Sequence, residues 1–131
     1  AMTTKRIASV MRTEILILRA DTPIRRAAAL LVEARAAAAP VLGEDDQLAG
    51  FLTQKDCFRS ALHASYYREW KGNVGDQMSR EVITVLPEDD LIHVAGMFLS
   101  HPHRVFPVCD AGRVKGLVHR SDILAELIRL G

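Results

Sequence analysis

The sequence predicts an α+β fold in which one strand–helix–strand–strand–helix unit is used twice. Landmark residues recur in register: Met11 and Met78, Ile24 and Leu91, and Pro40 and Pro107 each stand 67 residues apart (78 − 11). Gly50 and Gly116, like Asp56 and Asp122, stand 66 apart (116 − 50), so the second copy has lost one residue from its central turn. Self-similarity over a whole period marks a repeated supersecondary unit. Within each copy the apolar spacing also switches between strand-like and helical in the same order.

Each copy opens on a short apolar run, Ile15 to Leu18 and then Val82 to Val85. In the first, Ile24, Ala27, Ala28, Leu31 and Ala34 follow at helical spacing, with Thr22 as the expected N-cap and Pro23 at the first helical position. The second offers Leu91, Val94, Ala95, Phe98 and Leu99 behind Asp89. Two apolar runs then read as hairpins: Ala39 to Leu42 with Leu48 to Thr53, and Val105 to Cys109 with Val114 to Val118. Gly43-Glu44-Asp45-Asp46 and Asp110-Ala111-Gly112 supply the turns. A second helix ends each copy, carrying Phe58, Ala61 and Leu62, then Ile123, Leu124, Leu127 and Ile128. Elements in that order bury best as a small sheet with both helices on one face. Two such units are expected to cover each other's open faces about a pseudo-two-fold axis. Residues 1–62 make the first copy and 77–131 the second. Residues 63–76 form a connection without a counterpart in the repeat. Gly72-Asn73 ends its helix, and Tyr66, Tyr67 and Trp70 are expected to close the core edge or, as the alternative, to contact a partner chain.

The 131 residues suffice for one ordinary core, not two independent ones, so the halves are expected to share it. A hydrophobic fraction of 49% with 25% charged residues belongs to a folded chain rather than a disordered one. Net charge is +1 without a basic block or an aromatic–basic stripe, which argues against a nucleic-acid partner. No apolar run reaches membrane-spanning length and the first residues are polar, so no membrane association and a cytoplasmic location are expected. Ala1 ahead of Met2 reads as a remnant and carries no weight. Cys57 and Cys109 fall at unmatched points and read as small buried hydrophobes, in keeping with a reducing compartment. There is no nucleophile elbow, no Gly-rich phosphate loop and no ligand spacing for a metal; His93, His101, His103 and His119 have no i, i+4 partners. Catalysis, a resident metal and a required cofactor are therefore not expected.

Gly50-Phe51-Leu52-Thr53-Gln54-Lys55-Asp56, followed by its near copy Gly116-Leu117-Val118-His119-Arg120-Ser121-Asp122, resembles the strand-to-helix signature of the CBS (cystathionine β-synthase) domain. The Met-x-x opening and the apolar-Pro-Val strand match as well, from about Ile7 to Leu127. This resemblance implies a tandem module in which two copies pair and bind adenosine-containing ligands in clefts between them. It also implies a homodimer of such modules and a separate effector protein that reads the ligand state.

The residue chemistry suits that expectation. A carboxylate one turn into a helix after a strand can accept both hydroxyls of a ribose, which assigns Asp56 and Asp122 that role. Hydroxyls beside the free amides of a helix start suit phosphate, which assigns Thr53 and Ser121, with Lys55 and Arg120 as nearby cations. The plainer reading is that both acids simply cap helices. The resemblance adds His103 and Arg104, a pair that reaches phosphates in nucleotide-sensing members. It also implies that Ile15 and Leu16 complete the Asp122 site, and Val82 and Ile83 the Asp56 site. His119 departs from the family pattern, standing where Thr or Ser usually donates to phosphate; protonated, it would strengthen phosphate binding below about pH 6.5. Ala36 to Ala39 leave the first site without a His-Arg pair. The function expected is a stand-alone regulatory module for AMP, ADP or ATP. The alternative is a ligand-free scaffold or dimerisation module.

Overall fold

Short apolar runs bounded by turn residues, buried over several consecutive positions in β2 (Ala38–Leu42) and β4 (Val105–Asp110), produce the two hairpins around which the protein is organised. The computed structural model describes residues 5–131, so Ala1 and Met2 lie outside it. The class is α+β, with a helix–strand–strand–helix motif present twice and a short opening strand in the first copy. Two compact units emerge, one of them discontinuous in sequence.

Leu16–Val82 is the continuous unit. It contains β1 (Leu18–Arg19), α1 (Ile24–Glu33), β2 (Ala38–Leu42), β3 (Leu48–Thr53), α2 (Gln54–Tyr67) and the short α3 (Val74–Gln77). The sheet order is β1-β2-β3, with β1 parallel to β2 through Leu18 opposite Val41, and β2 antiparallel to β3. Ile24, Ala27 and Leu31 recur on one face of α1 and pack with Leu18, Val41, Leu52 and Val74, all 2% exposed or less. Burying each such Leu, Ile or Val contributes about 1.5–3 kcal/mol.

The second unit joins the opening segment through Ile15 to Ile83–Gly131. Its elements are α4 (Leu91–Ser100), β4 (Val105–Asp110), β5 (Arg113–His119) and α5 (Arg120–Leu130). The β4–β5 hairpin turns at Ala111 and Gly112, both at positive φ. The apolar run expected as an opening strand shrinks to one parallel bridge. In it Val85 N donates to Pro107 O at 3.1 Å and Val85 O accepts from Cys109 N at 2.9 Å. Ile7, Leu91, Val94, Phe106, Val108 and Val118 form the core, with the Phe98 and Phe106 rings stacked at 4.3 Å.

The repeat runs further than the sequence analysis expected. Val74 N donates to Thr22 O (2.9 Å) and Ile24 N to Gly72 O (3.2 Å). In the other unit Ile7 N donates to Asp89 O (3.0 Å) and Leu91 N to Lys5 O (3.0 Å). Residues 72–79 thus match residues 5–12, and the supposed connection contains a lead-in of its own. Each lead-in packs on the body of the opposite repeat, which is why the compact units do not follow the linear copies.

Local details also differ from expectation. Pro23, not Thr22, is the N-cap of α1, because its extended backbone (ψ 139°) precedes the first helical turn. Asp90, not Asp89, caps α4 by accepting from Ile92 N (3.0 Å), while Asp89 closes a turn on Leu86 N (2.8 Å). In agreement with expectation, Cys57 is buried, with Ser60 and Ala64, and α2 keeps an exposed apolar face that includes Phe58 and Leu62. Trp70 packs on the core as expected, whereas Tyr66 and Tyr67 are exposed. Both cysteines are free and buried, and burial pushes their thiols up.

Candidate functional site around the paired acids

The two signature segments share a backbone path. In the continuous unit, Thr53 ends β3 in extended conformation and the chain turns directly into α2. A reciprocal capping box fixes that turn: Thr53 Oγ1 accepts from Asp56 N at 3.0 Å, and Asp56 Oδ2 accepts from Thr53 N at 2.9 Å. The capping reading of Asp56 therefore holds in this structure. One carboxylate oxygen and the Thr53 hydroxyl proton are left outside the box. Lys55 beside them is exposed.

His119 occupies the place of Thr53 in the other unit, and an imidazole makes no such cap. Asp122 turns instead to Arg12, which donates from Nε to Oδ2 at 2.8 Å and from Nη2 to Oδ1 at 3.1 Å. The Arg12 guanidinium holds the Asp122 carboxyl below the usual range, against a smaller opposing effect of burial. Burial, then the charge of Arg12, pushes His119 below the ordinary imidazole value, so the ring is neutral near pH 7. Its Nδ1 is buried without a hydrogen-bond partner among the described residues, as is Nδ1 of His103. The His103 ring lies 5.4 Å from that of Phe106, and 5.7 Å edge-on from that of His101.

Arg104 and Arg120 are brought together by their backbones, Arg120 N donating to Arg104 O at 2.8 Å, while both side chains reach solvent. Ser121 is exposed on the first turn of α5. The apolar pairs divide. Ile15 belongs to the unit that carries Asp122, and Val82 to the unit that carries Asp56. Leu16, in contrast, packs on the core of the unit that carries Asp56, and Ile83 on the core of the unit that carries Asp122. Each opening run crosses from one unit to the other, so neighbouring residues serve different cores.

Sequence reasoning missed Arg12. It follows Met11 at the position that Ser79 holds after Met78, and that difference between the copies was the available signal. Residues grouped closely enough to hold a metal ion are absent among the described residues. None of the described helices is long and apolar enough to cross a membrane. A shallow groove along α1, lined by Pro23, Arg25, Arg26, Ala29, Leu30 and Glu33, includes no residue of the candidate site.

Comparison with known proteins gives a consistent picture. An uncharacterized protein of Methanocaldococcus jannaschii is 24% identical over 92% of this chain, which spans only 42% of that relative's length. The crystal structure of CBSX2 of Arabidopsis thaliana in complex with AMP is 23% identical with a TM-score of 0.81, covering 95% of this chain and 97% of that one. The CBS domain pair of MJ0100, solved with 5-methylthioadenosine and S-adenosyl-L-methionine, is 22% identical with a TM-score of 0.80. It covers 98% of this chain and all of the other. The family model of the CBS domain matches at residues 7–63 and again at 72–129. Both repeats carry the match, and the chain belongs to the CBS domain family.

Proposed function

We propose that the protein is a regulatory, non-catalytic CBS pair that binds an adenosine-containing ligand, with Asp122 and Asp56 receiving the ribose hydroxyls. One observation carries the reading. At the start of α5 a half-exposed carboxylate, a helix terminus without a side-chain cap and the orphaned Nδ1 of His119 lie within four residues. Buried polar atoms without partners are rare in folded proteins and suit a site that a polar ligand completes. Ser121, Arg120, Arg104 and His103 then serve the 5′ substituent, with Ile15 against the base. Thr53, Lys55 and Val82 play the matching parts around Asp56, with Leu16 and Ile83 as the apolar support of the two cores. AMP, ADP or ATP is the ligand class assigned. Similar CBS pairs with AMP or with S-adenosylmethionine and methylthioadenosine support an adenosine ligand.

Regulation would act through self-association and an effector protein in the cytoplasm. Phe58, Leu62 and Tyr66 form an exposed apolar row at i, i+4 spacing on α2, and Leu124 and Ile128 another on α5. Such faces suit an isologous homodimer. Free, buried thiols fit a reducing compartment. A ligand-free scaffold is the second reading, favoured by the Thr53–Asp56 box, which already engages one Asp56 carboxylate oxygen and the Thr53 hydroxyl oxygen.

Thermal unfolding with AMP, ADP, ATP, NAD or S-adenosylmethionine at millimolar concentration separates the two. A ligand at about 100 times its Kd adds about 2.7 kcal/mol to stability. Asp122→Ala is expected to lose most of that gain while keeping the fold. A midpoint that moves with no ligand supports the scaffold instead.

A further inference from the structure

The two repeats treat their equivalent acids differently, and we propose that Arg12 is a built-in competitor that keeps the Asp122 carboxylate closed to ligand, a control absent at Asp56. The inference rests on the ligand reading above and concerns how that site is regulated. Arg12 and Ser79 hold equivalent backbone positions. Arg12 exchanges hydrogen bonds with Leu117 (N to O 2.8 Å, O from N 2.9 Å), and Ser79 with Phe51 (2.9 Å each). The lead-ins lie so close to the hairpins that only glycine fits at Gly116 and Gly50. From the same starting point Arg12 reaches the acid of its unit, and the short Ser79 side chain instead turns to Glu81 O at 3.5 Å.

His119 completes the logic. Where Thr53 caps, Asp56 bonds back to the backbone; where His119 cannot cap, Asp122 is left for a cation to take. The guanidinium engages both carboxylate oxygens, the same two atoms that a ribose diol would use. Binding there must first release Arg12. The pair is open to solvent, with side chains 53% and 32% exposed, so the closure is weak and reversible rather than permanent. The Arg12 backbone stays pinned to β5 throughout, which confines the change to one side chain.

Calorimetry with adenosine and with AMP tests this on the whole chain. Adenosine carries no charge, so its affinity reports the acid's availability without attraction to Arg12. Arg12→Gln is expected to bind adenosine about fivefold more tightly than the parent, the scale of one exposed ion pair. Added salt screens such a pair, and it should tighten adenosine binding to the parent but not to the Gln variant. Combining Arg12→Gln with Asp122→Asn should erase the gain relative to Asp122→Asn alone. Arg12→Lys, which keeps the charge but not the fork, should gain about twofold and carries the comparison if the Gln variant loses its circular dichroism spectrum. Unchanged or weaker adenosine binding in a folded Gln variant, or a gain that survives without Asp122, overturns the closure. Failure of adenosine and AMP to bind any form overturns the ligand reading itself.

Discussion

Adding one methyl group at Gly116 should damage the second unit more than almost any other single carbon. A Cβ built there falls inside contact distance of the Arg12 carbonyl oxygen and 3.3 Å from Met11 Sδ. Backbone cannot rotate away as a flexible side chain can, so the lead-in must move off β5. That strains or breaks the two hydrogen bonds between Arg12 and Leu117, each worth about 1 kcal/mol. Overpacking adds about 1–3 kcal/mol, and alanine's stiffer unfolded chain returns about 0.4–1 kcal/mol. The net expectation for Gly116→Ala is a loss of about 2–4 kcal/mol, read as a lower urea midpoint by far-UV circular dichroism. Gly96→Ala is the control, since a Cβ there meets nothing within 4 Å on an exposed face of α4. It should stabilise by about 0.5–1 kcal/mol. A Gly116→Ala protein within about 0.5 kcal/mol of the parent would refute the claim that the lead-in is clamped to the hairpin.

Two further expectations concern the helix starts. Thr53→Ala should cost about 1 kcal/mol in urea unfolding by removing the acceptor for Asp56 N, and an unchanged midpoint would show that the box contributes nothing. His119 titrates lower in the folded state than in the unfolded one, so the unfolded chain takes the proton first. Stability must therefore fall as pH drops below about 6.5, until the folded imidazole also titrates. Arg12 and Asp122 are the charged groups acting on that ring, and Asp122, held low by Arg12, adds its own loss in the carboxylate range as pH falls further. His119→Gln should flatten the decline of the urea midpoint between pH 7.5 and 5.5; an equal slope would clear His119 of the effect.

The periodic features were the readable ones. Pro40 and Pro107, the Gly-led strands and the turn residues set hairpins in register, because short-range chemistry decides them. The caps were displaced by one residue, since Thr22–Pro23 and Asp89–Asp90 each present two plausible caps and only backbone angles choose between them. Along α2 the large apolar side chains do not mark the buried face: Phe58 and Leu62 are exposed, and the smaller Cys57, Ser60 and Ala64 are the buried ones. At the site both acids follow from the repeat, and of their partners only the local one does. Thr53 is three residues from Asp56 and legible; Arg12 is 110 residues from Asp122 in sequence, and only the fold brings it there.

Reciprocal exchange of the lead-ins constrains how such a chain can be dissected or can have arisen. A fragment cut at the end of the first linear copy forfeits Val74 and Met78, two fully or nearly buried members of its own core. The span Leu16–Val82, which straddles both copies, keeps them. A linear copy taken alone would need a second copy to supply its missing lead-in, so a single copy is expected to associate before it is stable, whereas the permuted span already carries what it packs against.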